Sequence, residues 1–175
     1  MFLLLLLSGC AGLNKAHGPA TVDYSEDEAS GTRTWILVNN NLFNDEYGIS
    51  GSDFDFGVEK YSRGKEKARY FIRIEYKGRD WLLISGKESL VINMDSSRLA
   101  FEGCSSERQA GERDVHEDAL YETDEKTILS LAGADKVKVV ISGKKGSVTA
   151  YFSGNNFTNL KEFYNEIILA LKEPF

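Results

Sequence analysis

Three places in the chain carry side chains that could perform chemistry. Asp53 and Asp55 alternate with two phenylalanines, and His116 is followed directly by two carboxylates. Cys104 lies upstream of that histidine. A pair of carboxylates could hydrolyse a polymer or bind calcium, and a thiol beside an imidazole could act as a nucleophile. These residues are the candidates that a fold would have to position.

The aspartate pair is the first candidate. Side chains alternate along a strand, so Asp53 and Asp55 share one face of the strand predicted over 52–61. Asn44 and Asp45 lie nearby in the chain, and oxygen ligands of this kind suit calcium. The spacing does not match an EF-hand loop, however. We therefore expect these carboxylates to form the polar outer face of a strand.

The single histidine of the folded region is the second candidate. On a strand, His116 and Asp118 could share a site, whereas Glu117 points to the opposite face. One histidine does not support a transition-metal site. Cys104 is expected to be a small buried apolar side chain, with pairing between molecules or activation by His116 as alternatives. We predict no catalytic residue, no cofactor and no metal.

Two basic motifs have structural interpretations. The turn Gly143-Lys144-Lys145-Gly146 is shorter than a phosphate-binding loop and is followed by a strand, whereas a Walker motif needs a helix there. Upstream, Glu59 and Glu66 are interspersed among basic residues that could contact phosphate or lipid headgroups. We expect this basic flank to be a solvated face; it comprises Lys60, Arg63, Lys65, Lys67 and Arg69.

Composition limits the possible partners. The chain has a formal charge of −6 and a pI near 5.1, which argue against a nucleic-acid partner, since that would need a clustered basic face. Residues 102–125 hold nine acidic residues against two basic ones and could attract cationic partners. With 42% hydrophobic residues, the chain can bury a core.

The elements that must position these residues are mostly strands. The patterning predicts an α+β fold with an antiparallel β-meander sheet of about seven to eight strands, and a two-sheet sandwich stays open. Residues 68–77 and 80–84 are predicted to form a hairpin, and 102–114 an exposed loop. The further strands are predicted at 32–38, 52–61, 90–94, 99–101, 115–121, 137–141 and 148–152.

Two helices complete the prediction. Thr123 is a suitable N-cap for a short helix near 124–132, which Gly133 ends. A C-terminal amphipathic helix near 156–172, capped by Asn155 or Asn156, is expected to cover the sheet. Its apolar stripe comprises Phe157, Leu160, Tyr164, Ile167, Ile168 and Leu171.

The amino terminus supplies the one family resemblance. An uncharged run from residue 2 to residue 8 leads into Leu7-Ser8-Gly9-Cys10, which resembles the lipobox of bacterial lipoproteins. The resemblance implies that the Cys10 thiol is diacylglycerylated, that segment 1–9 is removed as a signal peptide, and that the new amino terminus is acylated. Because Ala11 rather than aspartate follows the cysteine, it also implies the outer membrane, facing the periplasm or the cell surface.

Together these observations predict a lipid-anchored architecture. Residues 10–31 are expected to be the lipidated cysteine and a flexible spacer, since they are too polar to bury a core. Residues 32–175 are expected to form a single sheet-rich domain. We expect a non-catalytic binding or scaffolding module of the cell envelope, with the membrane and an envelope protein as partners. The alternatives are a small-molecule or lipid carrier, and an envelope hydrolase using carboxylates or Cys104. The oligomeric state stays open.

Overall fold

The computed structural model describes residues 19–42, 53–85 and 88–171. Within these residues, ten strands form two antiparallel sheets, of six and four strands. The strands are β1 (Thr21–Asp27), β2 (Thr32–Val38), β3 (Asp53–Arg63), β4 (Arg69–Gly78), β5 (Leu90–Met94), β6 (Ser97–Phe101), β7 (Ser105–Ala110), β8 (Val115–Thr123), β9 (Val137–Gly143) and β10 (Gly146–Tyr151). The first sheet has the order β1-β2-β3-β4-β8-β7, and the second has the order β10-β9-β5-β6. The predicted α+β fold is confirmed, in the form of two sandwich-like sheets.

Some predicted features lie outside this part of the chain. The lipobox Leu7-Ser8-Gly9-Cys10, segment 1–9 and the calcium-ligand candidates Asn44 and Asp45 are not among the described residues.

Alternating apolar residues place one face of the first sheet against the core. In β3, Phe54, Phe56 and Val58 are 2% exposed or less, and Ile72 and Ile74 of β4 are fully buried. Phe56 lies opposite Ile74, and Val58 lies opposite Ile72. These side chains join apolar residues of the second sheet and both helices in one hydrophobic cluster. The opposite face of the first sheet, here called the outer face, therefore points away from the core.

The hairpin predicted between 68–77 and 80–84 is wrong. β4 lies between β3 and β8, and residues 80–84 form a crossover segment towards the second sheet, where Ile84 makes one bridge to Gly143. The predicted continuous meander is interrupted there, although the hairpins β5–β6 and β9–β10 form as predicted. The buried carboxylate of Glu117 accepts backbone N–H groups of the crossover segment, which replaces the bonds of a hairpin.

Both edge strands of the first sheet differ from the prediction. β1 falls within the predicted spacer 10–31, and β7 falls within the predicted loop 102–114; every residue of both strands is exposed. β7 has no apolar alternation and β1 has only Val22 and Tyr24 on one face, and each strand is paired with one neighbour. A turn with Gly31 at φ 66° connects β1 to β2. The folded domain therefore begins before residue 32.

The helices form close to their predicted positions. Helix α1 (Glu125–Ala132) starts one residue later than expected, because Asp124 rather than Thr123 caps it: the Thr127 amide donates to Asp124 Oδ1 over 2.7 Å. Gly133 ends α1 as predicted. Helix α2 (Gly154–Phe163) begins after Ser153 and continues as a π-helical segment (Tyr164–Leu169).

The π-helical segment changes which side chains face the core. A π-helix has a wider turn than an α-helix, so the predicted stripe loses its phase. Leu171, beyond the π-helical segment, is 41% exposed, although the stripe included it. Phe163 lies before that segment, in α2, and is buried three residues after Leu160, although the stripe omitted it. Leu160, Tyr164 and Ile168 are buried as predicted. Among the described residues, no helix is long and apolar enough to cross a membrane.

Candidate functional site

The outer face of the first sheet carries a row of carboxylates. Asp55 lies opposite Glu75, Glu75 lies opposite Asp118, and Asp118 lies opposite Glu107. Residues opposite each other in an antiparallel pair have Cα atoms about 4.5–5.5 Å apart and share a face. The strands β3, β4, β8 and β7 thus align these four side chains, which we call the acidic row.

Arg73 lies beside the acidic row and contacts three carboxylates. Its Nε atom is 2.9 Å from Glu75 Oε1, its Nη2 atom is 3.6 Å from Asp118 Oδ1, and its Nη1 atom is 3.4 Å from Glu59 Oε1. Glu59 is only 1% exposed and also accepts the Tyr61 hydroxyl over 2.5 Å. Burial and this contact with Glu59 raise the pKa of Tyr61 to about 12. One guanidinium therefore holds the carboxylates in a fixed arrangement.

Asp55 has the most altered acidity of the row. The pKa of Asp55 is raised from 3.8 to about 7, mainly because the carboxyl is buried and secondly because of the negative charge of Glu75. Arg73 and the backbone N–H groups of Asn40 and Asn39 act in the opposite direction without cancelling the shift. Burial also raises the pKa of Glu75. Asp55 therefore keeps its proton close to neutral pH.

The acidity of Asp55 should be visible in the stability of the protein. A carboxyl whose pKa is higher in the folded than in the unfolded state makes the folded state lose stability as pH rises from about 4 to about 7. Removing the charge with Asp55→Asn should flatten this dependence and raise the free energy of unfolding at pH 8 by up to about 4 kcal/mol. Urea unfolding between pH 4 and pH 8 measures it.

The control for this change is Asp53→Asn. Asp53 lies on the same face of the same strand, but it is exposed, so its replacement should leave the pH dependence close to that of the parent. If Asp55→Asn and the parent show the same slope between pH 4 and pH 7, the carboxyl of Asp55 does not titrate near neutrality.

His116 and Asp118 share the outer face, as predicted, but the nearest acid to the imidazole is a different residue. His116 Nε2 lies 3.5 Å from Asp114 Oδ1, and Lys77 Nζ lies 3.1 Å from Asp114 Oδ2. Glu117 points to the core, as its alternate position in β8 requires. Within the described ranges, no group of three or more His, Cys, Asp or Glu side chains could hold a metal ion.

Cys104 is exposed, which contradicts the prediction that it is buried. It immediately precedes the edge strand β7, where its backbone N–H donates to the Leu120 carbonyl over 2.8 Å and its Sγ atom lies 3.3 Å from the Glu122 amide nitrogen. His116 precedes Leu120 by four residues in β8, which corresponds to about 13 Å at the rise of a strand. The thiol and the imidazole therefore do not form a nucleophile–base pair.

A surface cavity of about 300 Å³ lies next to Cys104. The residues that line it come from the end of the crossover segment, from the loops that precede β5 and β7, and from the strands β7 and β8: Ile84, Ser85, Ser89, Gly103, Cys104, Ser105, Ser106, Ala119 and Tyr121. The Ser89 and Tyr121 hydroxyl oxygens are 3.0 Å apart. Its lining is rich in hydroxyl groups, whereas the carrier hypothesis requires an apolar cavity beneath the final helix. Sequence spacing could not reveal this cavity, because distant segments form it.

The predicted basic flank is divided among separate structural roles. Lys60 is 3% exposed, and its Nζ atom donates to the carbonyls of Ile167 and Leu171 over 2.8 and 3.2 Å. A cation at this end of a helix is favoured by the helix dipole. Arg63 Nε donates to the Ser30 carbonyl over 3.0 Å, and Arg69 pairs with Glu122. The expectation of a wholly solvated flank is therefore wrong for Lys60.

Comparisons with known proteins add no functional information. No family model matches the chain, and searches of curated proteins and of solved structures found no significant match. The acidic row on the outer face is therefore interpreted from its own geometry.

Proposed function

We propose that the protein is a lipid-anchored binding module of the bacterial cell envelope, non-catalytic and attached to its membrane through Cys10. The acidic row on the outer face is the observation that carries the binding role. The face that holds it points away from the core, so its four carboxylates are not needed to bury apolar surface. A negative surface of this kind attracts cationic partners.

The ion pairs of the acidic row favour binding over catalysis. Arg73 contacts Glu59, Glu75 and Asp118 together, which fixes their geometry as acceptors. Around Arg73 the outer face still keeps more acidic than basic groups without counting Asp55, since Glu59, Glu75 and Asp118 contact this one guanidinium and Glu107 extends the row beyond Asp118. We therefore propose that the partner presents a lysine-rich or arginine-rich segment.

The anchor is supported by the lipobox and by the length of chain that follows it. Two or more buried acyl chains attach a protein stably to a bilayer, because each buried methylene group contributes about 0.8 kcal/mol. Ala20 immediately precedes β1, and the ten residue steps from Cys10 to Ala20 can span at most about 36 Å. The domain would thus stay near the membrane surface, and Ala11 in place of aspartate favours the outer membrane in an organism with two membranes.

Hydrolysis by a carboxylate pair is the second candidate function. The observation in its favour is that the pKa of Asp55 is raised to about 7 beside Glu75, since an acid that keeps its proton near neutral pH can donate it to a leaving group. The ion pair between Arg73 and Glu75 is more typical of a fixed charged surface. The carrier alternative has less support, because Leu160, Phe163 and Ile168 fill the space beneath the final helix.

Acylation of Cys10 is the first part of the test. In bacterial cells supplied with an alkyne-labelled fatty acid, the parent protein should carry the label and fractionate with membranes. Cys10→Ser should lose the label and move to the soluble fraction, whereas Cys104→Ser should behave as the parent. Label and membrane fractionation that persist in Cys10→Ser would refute the anchor.

Binding of a cationic peptide is the second part of the test. An oligolysine peptide should bind the parent, and added salt should weaken the binding, because it screens exposed charges. The double variant Glu75→Gln/Asp118→Asn should lose most of this affinity. Glu88→Gln, which removes a surface carboxylate paired with Arg98 outside the row, should not. Equal affinities for both variants would refute the acidic row as the binding surface.

A further inference from the structure

The β1 edge of the first sheet carries apolar side chains that are exposed. Val22 and Tyr24 of β1 are 39% and 54% exposed, and they lie opposite Leu37 and Trp35 of β2. Opposite residues share a face, so both side chains lie on the core-facing side of the sheet. At the β1 edge, however, they are exposed. Together with Leu171, which is 41% exposed, they form a surface that we call the aromatic ledge: Val22, Tyr24, Trp35 and Leu171.

Three contacts hold the aromatic ledge together. The rings of Tyr24 and Trp35 have centroids 5.3 Å apart. Lys60 Nζ lies 5.2 Å from the Trp35 ring centroid and donates to the Leu171 carbonyl over 3.2 Å. Lys60 therefore links the end of the C-terminal helical region to Trp35, and Trp35 in turn contacts Tyr24.

The polar groups around the aromatic ledge suit a membrane interface. Strand alternation directs Asp23, Ser25 and Asp27 to the outer face, away from the ledge. On the ledge side, the Arg33 guanidinium lies 6.0 Å from the Trp35 ring centroid, and the Tyr24 hydroxyl donates to Glu26. Tryptophan and tyrosine favour the headgroup region because one end of each ring system is apolar and the other is polar.

The aromatic ledge lies close in the chain to the proposed lipid anchor, which indicates a membrane as its binding partner. Val22 and Tyr24 belong to the first four residues of β1, which starts at Thr21. The tether from Cys10 to Ala20 spans at most about 36 Å. We propose that the aromatic ledge lies in the headgroup region of the bilayer that holds the anchor, which gives the domain one orientation on the membrane. This inference rests on the proposed lipid anchor, and it points the outer face away from the ledge and its bilayer.

Fluorescence quenching tests the aromatic ledge with an anchor that does not depend on cellular acylation. The full chain with Cys104→Ser is coupled through Cys10 to a maleimide lipid, in phosphatidylethanolamine–phosphatidylglycerol vesicles with brominated acyl chains. Trp35 and Trp81 are the two tryptophans, so Trp81→Phe leaves Trp35 as the probe. Its emission should shift to shorter wavelength and be quenched. With Trp35→Phe instead, the emission of Trp81 should not be quenched.

Variants of the aromatic ledge decide between a membrane and other occupants. Val22→Ser/Tyr24→Ser should abolish the quenching, whereas Tyr151→Ser, an exposed tyrosine on the second sheet, should retain it. Unquenched Trp35 in the coupled protein overturns the inference. The inference is also overturned if the Cys10→Ser protein sediments as a dimer and the added changes Val22→Ser/Tyr24→Ser convert it to a monomer, because a second copy would then occupy the aromatic ledge. Mass spectrometry of Cys10 from cells tests the anchor separately: quenching without native acylation would support the ledge and refute the anchor.

Discussion

Replacing Glu117 with alanine is expected to lower the free energy of unfolding by about 3–5 kcal/mol. The carboxylate is 1% exposed, and it accepts the backbone N–H groups of Leu82, Leu83 and Ile84 over 2.5, 2.9 and 2.8 Å. Arg108 Nε lies 3.3 Å from the same carboxylate, and its Nη2 atom donates to the Ile84 carbonyl. Alanine would leave these donors without their acceptor, and each unsatisfied buried donor costs about 1–3 kcal/mol.

Urea unfolding measures this loss, and two further variants define its cause. Glu122 lies on the same strand as Glu117, and its exposed carboxylate pairs with Arg69 of β4. Glu122→Gln should therefore cost less than about 1 kcal/mol. Glu117→Gln keeps one carbonyl oxygen but turns an NH2 group towards N–H donors, so its cost should fall between the other two. A Glu117→Ala protein as stable as Glu122→Gln would show that the carboxylate does not hold the crossover segment.

Strands with a local pattern could be predicted from the sequence. In β3 and β4, apolar and polar residues alternate, and burial follows that alternation over 53–56 and again over 72–78. The hairpin β9–β10 has a short glycine-bounded turn between two such runs, and it forms as expected. These elements are predictable because the period of two and the turn residues lie within a few positions of each other.

The crossover segment could not be predicted in this way. Residues 80–84 follow a short glycine turn and are apolar, so the local pattern favours a hairpin. Their true partner is Glu117, which lies in an acidic run where any one carboxylate looks solvated. The strands β1 and β7 do not follow from the local pattern either, because every residue in them is exposed and neither has a buried apolar face. For the crossover segment the decisive contact joins distant parts of the chain, whereas β1 and β7 pair with the strands that directly follow them.

The candidate site was predicted in part. The alternation in β3 places Asp53 and Asp55 on the polar face, as expected. The alignment of Asp55 with Glu75, Asp118 and Glu107 depends on strand order and register, which spacing along the chain does not encode. The pKa of Asp55 depends in turn on that alignment, because burial and a neighbouring carboxylate raise it. Local sequence therefore indicates the face, and only the sheet assembles the row.

Gly143→Ala is expected to lower the free energy of unfolding by about 3 kcal/mol or more. A Cβ atom at Gly143 would overlap the Leu82 carbonyl oxygen and lie 2.7 Å from its carbon. Both obstacles are backbone atoms, so the crossover segment would have to move. That movement would break two hydrogen bonds, from the Lys144 N–H to the Leu83 carbonyl and from the Lys145 N–H to the Leu82 carbonyl, of 3.1 and 3.0 Å.

Gly154→Ala is the matched control for Gly143→Ala. A Cβ atom at Gly154 meets nothing within 4 Å, and this residue begins α2, where alanine is favourable. Its replacement should change the free energy of unfolding by less than about 0.5 kcal/mol. Equal stability of the Gly143→Ala and Gly154→Ala proteins in urea would mean that the crossover segment can move away from β9 without cost.

The two predictions also constrain each other. Glu117 of the first sheet accepts backbone N–H groups of the crossover segment. Gly143 of the second sheet has no side chain, which lets the same segment pack closely against β9. Because both residues act on the backbone of Leu82 and Leu83, either single change should release the same segment. The double variant Glu117→Ala/Gly143→Ala should therefore lose less stability than the sum of the single variants, with a coupling of about 0.5–3 kcal/mol. Strict additivity in this cycle would show that the two sheets hold the crossover segment independently.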